Sequence, residues 1–141
     1  MGWEWSLEFS DDHGIRGVFR LTVPDDGAAA TFTARLVLPE EGVVVVHDDD
    51  VSPPRSDALL VVRAEGLWAE LLCETPGEHW SFGLEAFGVR FADEAEAAVT
   101  DRGERVAVGF DLEWETPDRV YGELLLGRRQ LTFDGTGTFV A

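Results

Sequence analysis

Several residue types are missing or rare in this sequence. It has no lysine, no asparagine, one isoleucine and one cysteine, Cys73. A lone cysteine cannot form a disulfide within the chain, which is typical of a reducing compartment, so we expect a cytoplasmic protein. Because the codons of lysine, asparagine and isoleucine are rich in A and T, their scarcity indicates a bacterial genome of high GC content.

Long apolar runs and positive charge are also scarce. No run approaches the roughly 18 residues of a membrane-spanning helix, and the first residues lack the basic and apolar regions of a signal peptide. Eleven arginines stand against 28 acidic residues, so the net charge is −17 at pH 7. Since polyanions bind to basic patches, we expect neither nucleic acid nor a membrane as a partner.

Hydrophobic and aromatic residues are abundant. They make up 45% and 11% of the sequence, with five tryptophans and nine phenylalanines. This composition excludes a disordered chain, which could not bury enough apolar surface to offset the entropy lost on ordering. A length of 141 residues is near the commonest domain size, so we predict one domain over residues 1–141.

Apolar and polar residues alternate along most of the chain, which is the mark of half-buried strands. We predict strands over 3–9, 15–23, 30–38, 43–46, 58–64, 67–75, 80–84, 106–116, 120–126 and 131–140. Segments 58–64 and 67–75 are compatible with a single strand bent at Gly66. Residues 47–57 are predicted as a loop, 92–100 as a short helix, and 85–87 as a bulge.

Polar turns separate these strands at short intervals, and no linker divides the chain. About nine antiparallel strands with one short helix predict an all-β barrel or sandwich. A closed sheet of this size is able to surround a cavity for one small ligand.

Few residues match a known chemical motif. The acidic run Asp48–Asp50 lacks the glycine and the glutamate of a calcium loop, and the three histidines show no ligand spacing, so we predict no metal site. Cys73 and His79 flank a turn and are compatible with a thiolate pair. The alternation pattern also allows Cys73 to be a buried, inert thiol.

Carboxylates alternate with apolar residues in the segment 110–116. If the aromatic face of this segment is the core, Asp111, Glu113 and Glu115 point to solvent. If one of them instead faces an apolar cavity, burial would favour its protonated form and suit it to acid–base chemistry.

Aromatic and acidic residues are most densely mixed over residues 63–89. One interpretation is a core tryptophan pair with solvated acids. The other is an apolar pocket with a few polar groups. For that pocket we predict ligand-binding residues Trp68, Trp80, Phe87, Phe110, Trp114 and Tyr121 and catalytic residues Glu74, His79 and Glu85.

Several segments resemble uncharacterised bacterial proteins of the lipocalin-like group that includes the carotenoid hydratase and AttH-like families. The segments that carry the resemblance are Gly66–Trp68, Glu78–Trp80, Glu85–Val89, Gly109–Glu115, Gly122–Leu124 and Phe133–Gly137. The resemblance implies a lipocalin-like β-barrel that receives a small, largely apolar molecule. Members typically carry two such domains and this chain resembles the first, so we expect a homodimer that covers the face left free.

Two classes of function follow. The protein is either an enzyme of secondary metabolism, a cyclase, isomerase or hydratase that works by positioning its substrate, or a non-catalytic module that binds a ligand, a protein or a carbohydrate. No cofactor is expected in either case. Tryptophan on the surface would favour a sugar, whereas tryptophan around a closed cavity would favour an apolar ligand.

Overall fold

The computed structural model describes residues 2–26, 28–52, 59–99 and 103–140. These residues form ten strands and one helix, and so confirm the all-β prediction with its single short helix. The elements are β1 Trp3–Ser10, β2 Arg16–Val23, β3 Ala30–Leu38, β4 Gly42–Val51, β5 Leu59–Ala64, β6 Leu67–Thr75, β7 His79–Phe91, α1 Glu94–Val99, β8 Glu104–Glu115, β9 Arg119–Leu126 and β10 Arg129–Val140.

The strands form one antiparallel sheet that closes on itself. The strand order is β4-β3-β2-β1-β10-β9-β8-β7-β6-β5, and β4 pairs a second time with β7. This closing contact joins Val43–Val45 to Val89–Phe91 in three residue pairs. Eight strands therefore make a closed barrel, the architecture that the lipocalin-like resemblance implies. The β5–β6 hairpin extends the sheet beside the first part of β7.

The interior of the barrel is packed with the apolar residues of the alternating strands. Phe19 and Phe82 have ring centroids 5.0 Å apart, and Phe82 lies 5.3 Å from Phe139. Near the strand ends, Phe9 and Phe133 pack edge to face at 5.1 Å. Because these rings contact one another across the barrel, side chains fill this part of its interior.

Two sequence predictions about β4 and β7 are wrong. Residues 47–51 continue β4: His47, Asp48 and Val51 pair with β3 across a register shift at 49–50, and Val51 is fully buried. Residues 53–57 of the predicted loop lie outside the described residues. No bulge interrupts β7 at 85–87, since its pairing with β8 runs without a shift. Ala86 faces the core and Phe87 faces outward, so an aromatic residue at an outward position gave the false signal of a phase change.

A tight turn at Glu65–Gly66 separates β5 from β6, so the segment is a hairpin and not one bent strand. The helix α1 follows the closing contact. The Asp93 side chain accepts a hydrogen bond from the Glu96 amide at 2.8 Å, and the Glu96 side chain accepts one from the Ala92 amide at 3.1 Å. This reciprocal cap starts α1 next to β4 and β7, both of which it contacts.

Candidate functional site

An apolar groove lies on the outer face of the sheet, across β6, β7, β8 and β9. The strand register places Trp68, Glu85, Gly109 and Leu125 side by side in one row. Phe87 on β7 lies next to this row on the same face. We call this the outer groove, and its volume is about 470 Å³.

The walls of the outer groove are apolar side chains at positions where the alternation calls for polar ones. Leu67 and Ala69 are buried, so Trp68 between them faces outward. Phe87 is 54% exposed and Leu125 is 42% exposed. Among the described residues, four large apolar side chains are exposed, and two of these four, Phe87 and Leu125, line this groove. Clustering of this kind on a surface marks a binding site more often than scattered exposure does.

Glycine forms the floor of the outer groove. A Cβ atom on Gly109 would lie 2.9 Å from the Leu84 carbonyl oxygen and 3.5 Å from Leu125 Cδ1. Because Gly109 has no side chain, only its backbone separates Glu85 from Leu125 in this row. Beside the floor, the Trp68 ring lies over Gly83, where a Cβ would be 3.5 Å from Trp68 Cζ3.

Glu85 is the charged residue in the lining of the outer groove. Its carboxylate is exposed and has no hydrogen-bond or ion-pair partner among the described residues. The neighbouring row on the same face carries Glu70, Asp111 and Glu123. On the other side, the Arg105 guanidinium sits 4.4 Å from the centre of the Phe87 ring, so one cation already contacts this aromatic surface.

A second group of polar side chains lies further along the same outer face. Ser81 Oγ is 2.9 Å from Glu74 Oε1 and 3.0 Å from Glu113 Oε1. His79 Nε2 is 3.1 Å from the same Glu113 oxygen. The carboxylate thus stands between hydroxyl and imidazole, so His79 does not contact Ser81 and cannot take its proton directly. This arrangement links the side chains but does not activate a nucleophile.

Tyr121 adjoins this polar group. Its hydroxyl donates a hydrogen bond to the Glu115 carboxylate, and this bond is the main reason why the pKa of Tyr121 is raised above its ordinary value of 10.0. Partial burial and the negative charges of Glu115 and Glu113 act in the same direction, while Arg119 opposes them. The Arg119 guanidinium lies 4.1 Å from the centre of the Tyr121 ring. These contacts hold the tyrosine as a neutral, positioned side chain.

The predicted ligand-binding residues divide between the two faces of the sheet. Trp80 and Phe110 are 7% and 5% exposed and belong to the core. Trp114 is partly buried and its ring centroid lies 5.7 Å from that of Phe139. Its buried Nε1 has no hydrogen-bond partner among the described residues. Trp68 and Phe87 lie on the outer face. Trp68, Trp80 and Phe87 therefore do not line a common pocket.

The predicted catalytic residues do not converge either. Ser81 connects Glu74 to the polar group around His79, but Glu85 lies in the outer groove, four residues or about 13 Å along β7 from Ser81. Cys73 packs against the core while His79 faces outward, so they form no thiolate pair. Of the two orientations that the sequence allowed for Asp111, Glu113 and Glu115, the structure has the outward one, since the core residues Phe110 and Leu112 alternate with them.

Sequence reasoning missed Leu125, Ala107 and Gly109 as groove residues. A signal for Leu125 exists in the run Leu124–Leu126. If its two outer members face the core, its middle member must face solvent. What the sequence lacks is the register that places Leu125 in the same row as Trp68.

A second groove of about 500 Å³ crosses the opposite wall, outside β10, β1, β2 and β3. Its lining is mostly polar and charged, and the Arg16 guanidinium there is bound to Glu94 at 2.7 Å. In the described part of the chain, no three acidic, histidine or cysteine side chains are arranged to hold a metal ion. None of the described helices has the length and apolar character needed to span a membrane.

Comparison with known proteins assigns no family to this barrel. No family model matches the chain, and neither a curated protein nor a solved structure matches it. The chemistry of the outer groove is therefore the basis for a functional proposal.

Proposed function

We propose that this protein is a non-catalytic binding protein that holds a small, largely apolar molecule in the outer groove. The observation that carries the proposal is the groove itself, with a volume of about 470 Å³ and the side chains of Trp68, Phe87 and Leu125 around a glycine floor. Sites for small molecules commonly have volumes of about 300–1,000 Å³, apolar walls and a few polar groups.

The lining of the groove supports an apolar ligand over a carbohydrate. A sugar presents many hydroxyl groups, and each one that loses water without finding a partner costs binding free energy. Apart from the Trp68 indole nitrogen, the lining supplies Glu85 as its polar side chain.

Binding is also better supported than catalysis. Glu85 is the titratable side chain in the lining, and no second acid, base or nucleophile among the described residues lines the groove with it. His79 lies six residues away along β7, about 20 Å. General acid–base catalysis needs its groups within hydrogen-bond reach of the reacting atoms.

The proposal is tested by titrating the ¹⁵N-labelled protein with tryptophol, a neutral indole alcohol, and following amide NMR signals. Gly66, Gly109 and Gly127 line the groove, and glycine amides are well resolved in such spectra. We expect saturable shifts that are largest at these three amides. Shifts centred instead on the interior residues Trp80 and Phe139, or no saturable shift at all, would contradict the proposal.

Matched variants locate the contact. Phe87→Ala removes about 1 kcal/mol of apolar contact with the ligand, so affinity for tryptophol should fall about fivefold. Val140→Ala is the control, because Val140 is also 54% exposed but does not line the groove. His79→Ala should leave the affinity unchanged. Equal losses for Phe87→Ala and Val140→Ala would place the ligand elsewhere.

A further inference from the structure

Glu85 occupies an unusual position for a free carboxylate. In the strand register it is the direct neighbour of Trp68 on one side and of Gly109 on the other. Phe87 follows two residues later on the same face of β7. Two aromatic residues thus flank Glu85 on this face, and no side chain stands beside it at Gly109. Nothing among the described residues neutralises this charge.

The surroundings of Glu85 make the groove attractive to cations. Glu70, Asp111 and Glu123 form the next row on the same face and have no ion-pair partner among the described residues. The whole chain carries a net charge of −17. Such a field raises the local concentration of cations and disfavours anions.

Two arginines stand at the edge of this region. Arg63, on β5, is paired with Trp68 of β6, and Arg105, on β8, is paired with Val89 of β7. Arg105 therefore approaches Phe87 from the side away from Glu85, and its contact with the ring shows that this aromatic surface accepts a positive group. The side of the groove that contains Glu85 remains free for a ligand.

We propose that the ligand is an organic ammonium ion, with its apolar body between Trp68, Phe87 and Leu125 and its charged nitrogen on the Glu85 carboxylate. This inference rests on the proposed function and adds the chemical class of the ligand to it. Aromatic rings beside a carboxylate bind ammonium groups through the ring quadrupole and the ion pair together. A neutral molecule of the same shape keeps the apolar contact only, and an anion meets repulsion from Glu85.

Three indoles with the same ring system and different charge test this inference. Tryptamine is a cation, tryptophol is neutral and indole-3-propionate is an anion at pH 7. In amide NMR titrations we expect tryptamine to bind about tenfold more tightly than tryptophol, and indole-3-propionate more weakly than either. Raising the salt concentration should reduce the advantage of tryptamine and leave tryptophol unchanged.

Glu85→Gln should lower the preference for tryptamine over tryptophol to twofold or less. Glu123→Gln is the matched control, because it removes one charge from the same face but not from the lining. Equal affinity of the wild type for tryptamine and tryptophol would overturn the ammonium inference and leave apolar binding intact. Equal loss of preference in both variants would overturn the role of Glu85. Failure of all three indoles to shift the groove amides would refute the proposed function itself.

Discussion

Phe82 and Phe87 lie on the same strand, but replacing each with alanine should lower the free energy of unfolding by very different amounts. Phe82 is 1% exposed in the core, whereas Phe87 is 54% exposed in the outer groove. Phe82→Ala removes a fully buried ring and leaves a cavity, so it should lower the free energy of unfolding by about 3–5 kcal/mol.

Phe87→Ala should cost much less. Full burial of a phenylalanine side chain contributes about 1.5–3 kcal/mol, so about half of it represents about 1 kcal/mol. Loss of the contact with Arg105 adds about 0.5–1 kcal/mol at such an exposed position. The expected total for Phe87→Ala is therefore about 1–2 kcal/mol.

These free energies convert to separable melting temperatures. An unfolding entropy of about 2.1 cal/mol/K per residue gives about 0.3 kcal/mol/K for a chain of 141 residues. Phe82→Ala should therefore lower Tm by about 10–17 °C and Phe87→Ala by about 3–7 °C. Calorimetry measures these Tm values, and urea unfolding measures the free energies of unfolding independently. Equal losses at the two positions would refute the assignment of the two faces of β7, and with it the outer groove.

Two further outcomes follow from local geometry. Gly122 has a φ of 146°, and a Cβ there would lie 1.9 Å from the Asp111 carbonyl oxygen, so Gly122→Ala should cost at least about 3 kcal/mol in urea unfolding. Gly77→Ala is the control, since Gly77 also has a positive φ but no atom lies within 4 Å of the added Cβ, and it should cost about 1 kcal/mol; equal losses would contradict the steric argument. Tyr121 is the sole tyrosine of the chain, so its ionisation can be followed by absorbance at high pH, and Glu115→Gln should lower its raised pKa towards 10.0.

The sign of the Tyr121 effect on stability follows from the direction of its pKa shift. The folded state favours the protonated phenol, so this contact contributes its full stabilisation below the ordinary pKa of 10.0. The contribution is lost as pH rises through the raised pKa of the folded protein. Stability of the wild type should therefore fall more steeply than that of Glu115→Gln between the ordinary pKa of 10.0 and the raised pKa of the folded protein. Parallel stability curves for the two proteins would contradict the hydrogen bond between Tyr121 and Glu115.

The alternation of apolar and polar residues was enough to predict most strands, because each barrel strand has one buried face. Residues 30–38 and 67–75 are strands with the predicted bounds. The alternation did not predict the strand at 47–51, where the acidic run Asp48–Asp50 suggested a loop, although His47, Asp48 and Val51 pair with β3. Local composition cannot reveal a partner that is distant in sequence.

The outer groove, too, could be predicted only in part from local sequence. Trp68, Phe87 and Glu85 were selected from the sequence as site residues because aromatic and acidic residues are dense there. The sequence did not show that Trp80 faces the other way, or that Leu125 completes the wall. A site built across four strands depends on register, and register is set by pairing of the whole sheet.

The closure of the barrel has a consequence for how the molecule opens. Three residue pairs join β4 to β7, whereas twelve join β7 to β8. Ion pairs from Arg90 to Glu41 and Glu104, together with α1, support this short contact from outside. Local unfolding should begin there, and amide hydrogen exchange at Val43–Val45 should be faster than in the middle of β8. Each opening exposes two unpaired strand edges, and such edges can pair with another chain in domain swapping or aggregation. By stabilising the closed barrel, the contacts around Arg90 also help to keep the protein soluble.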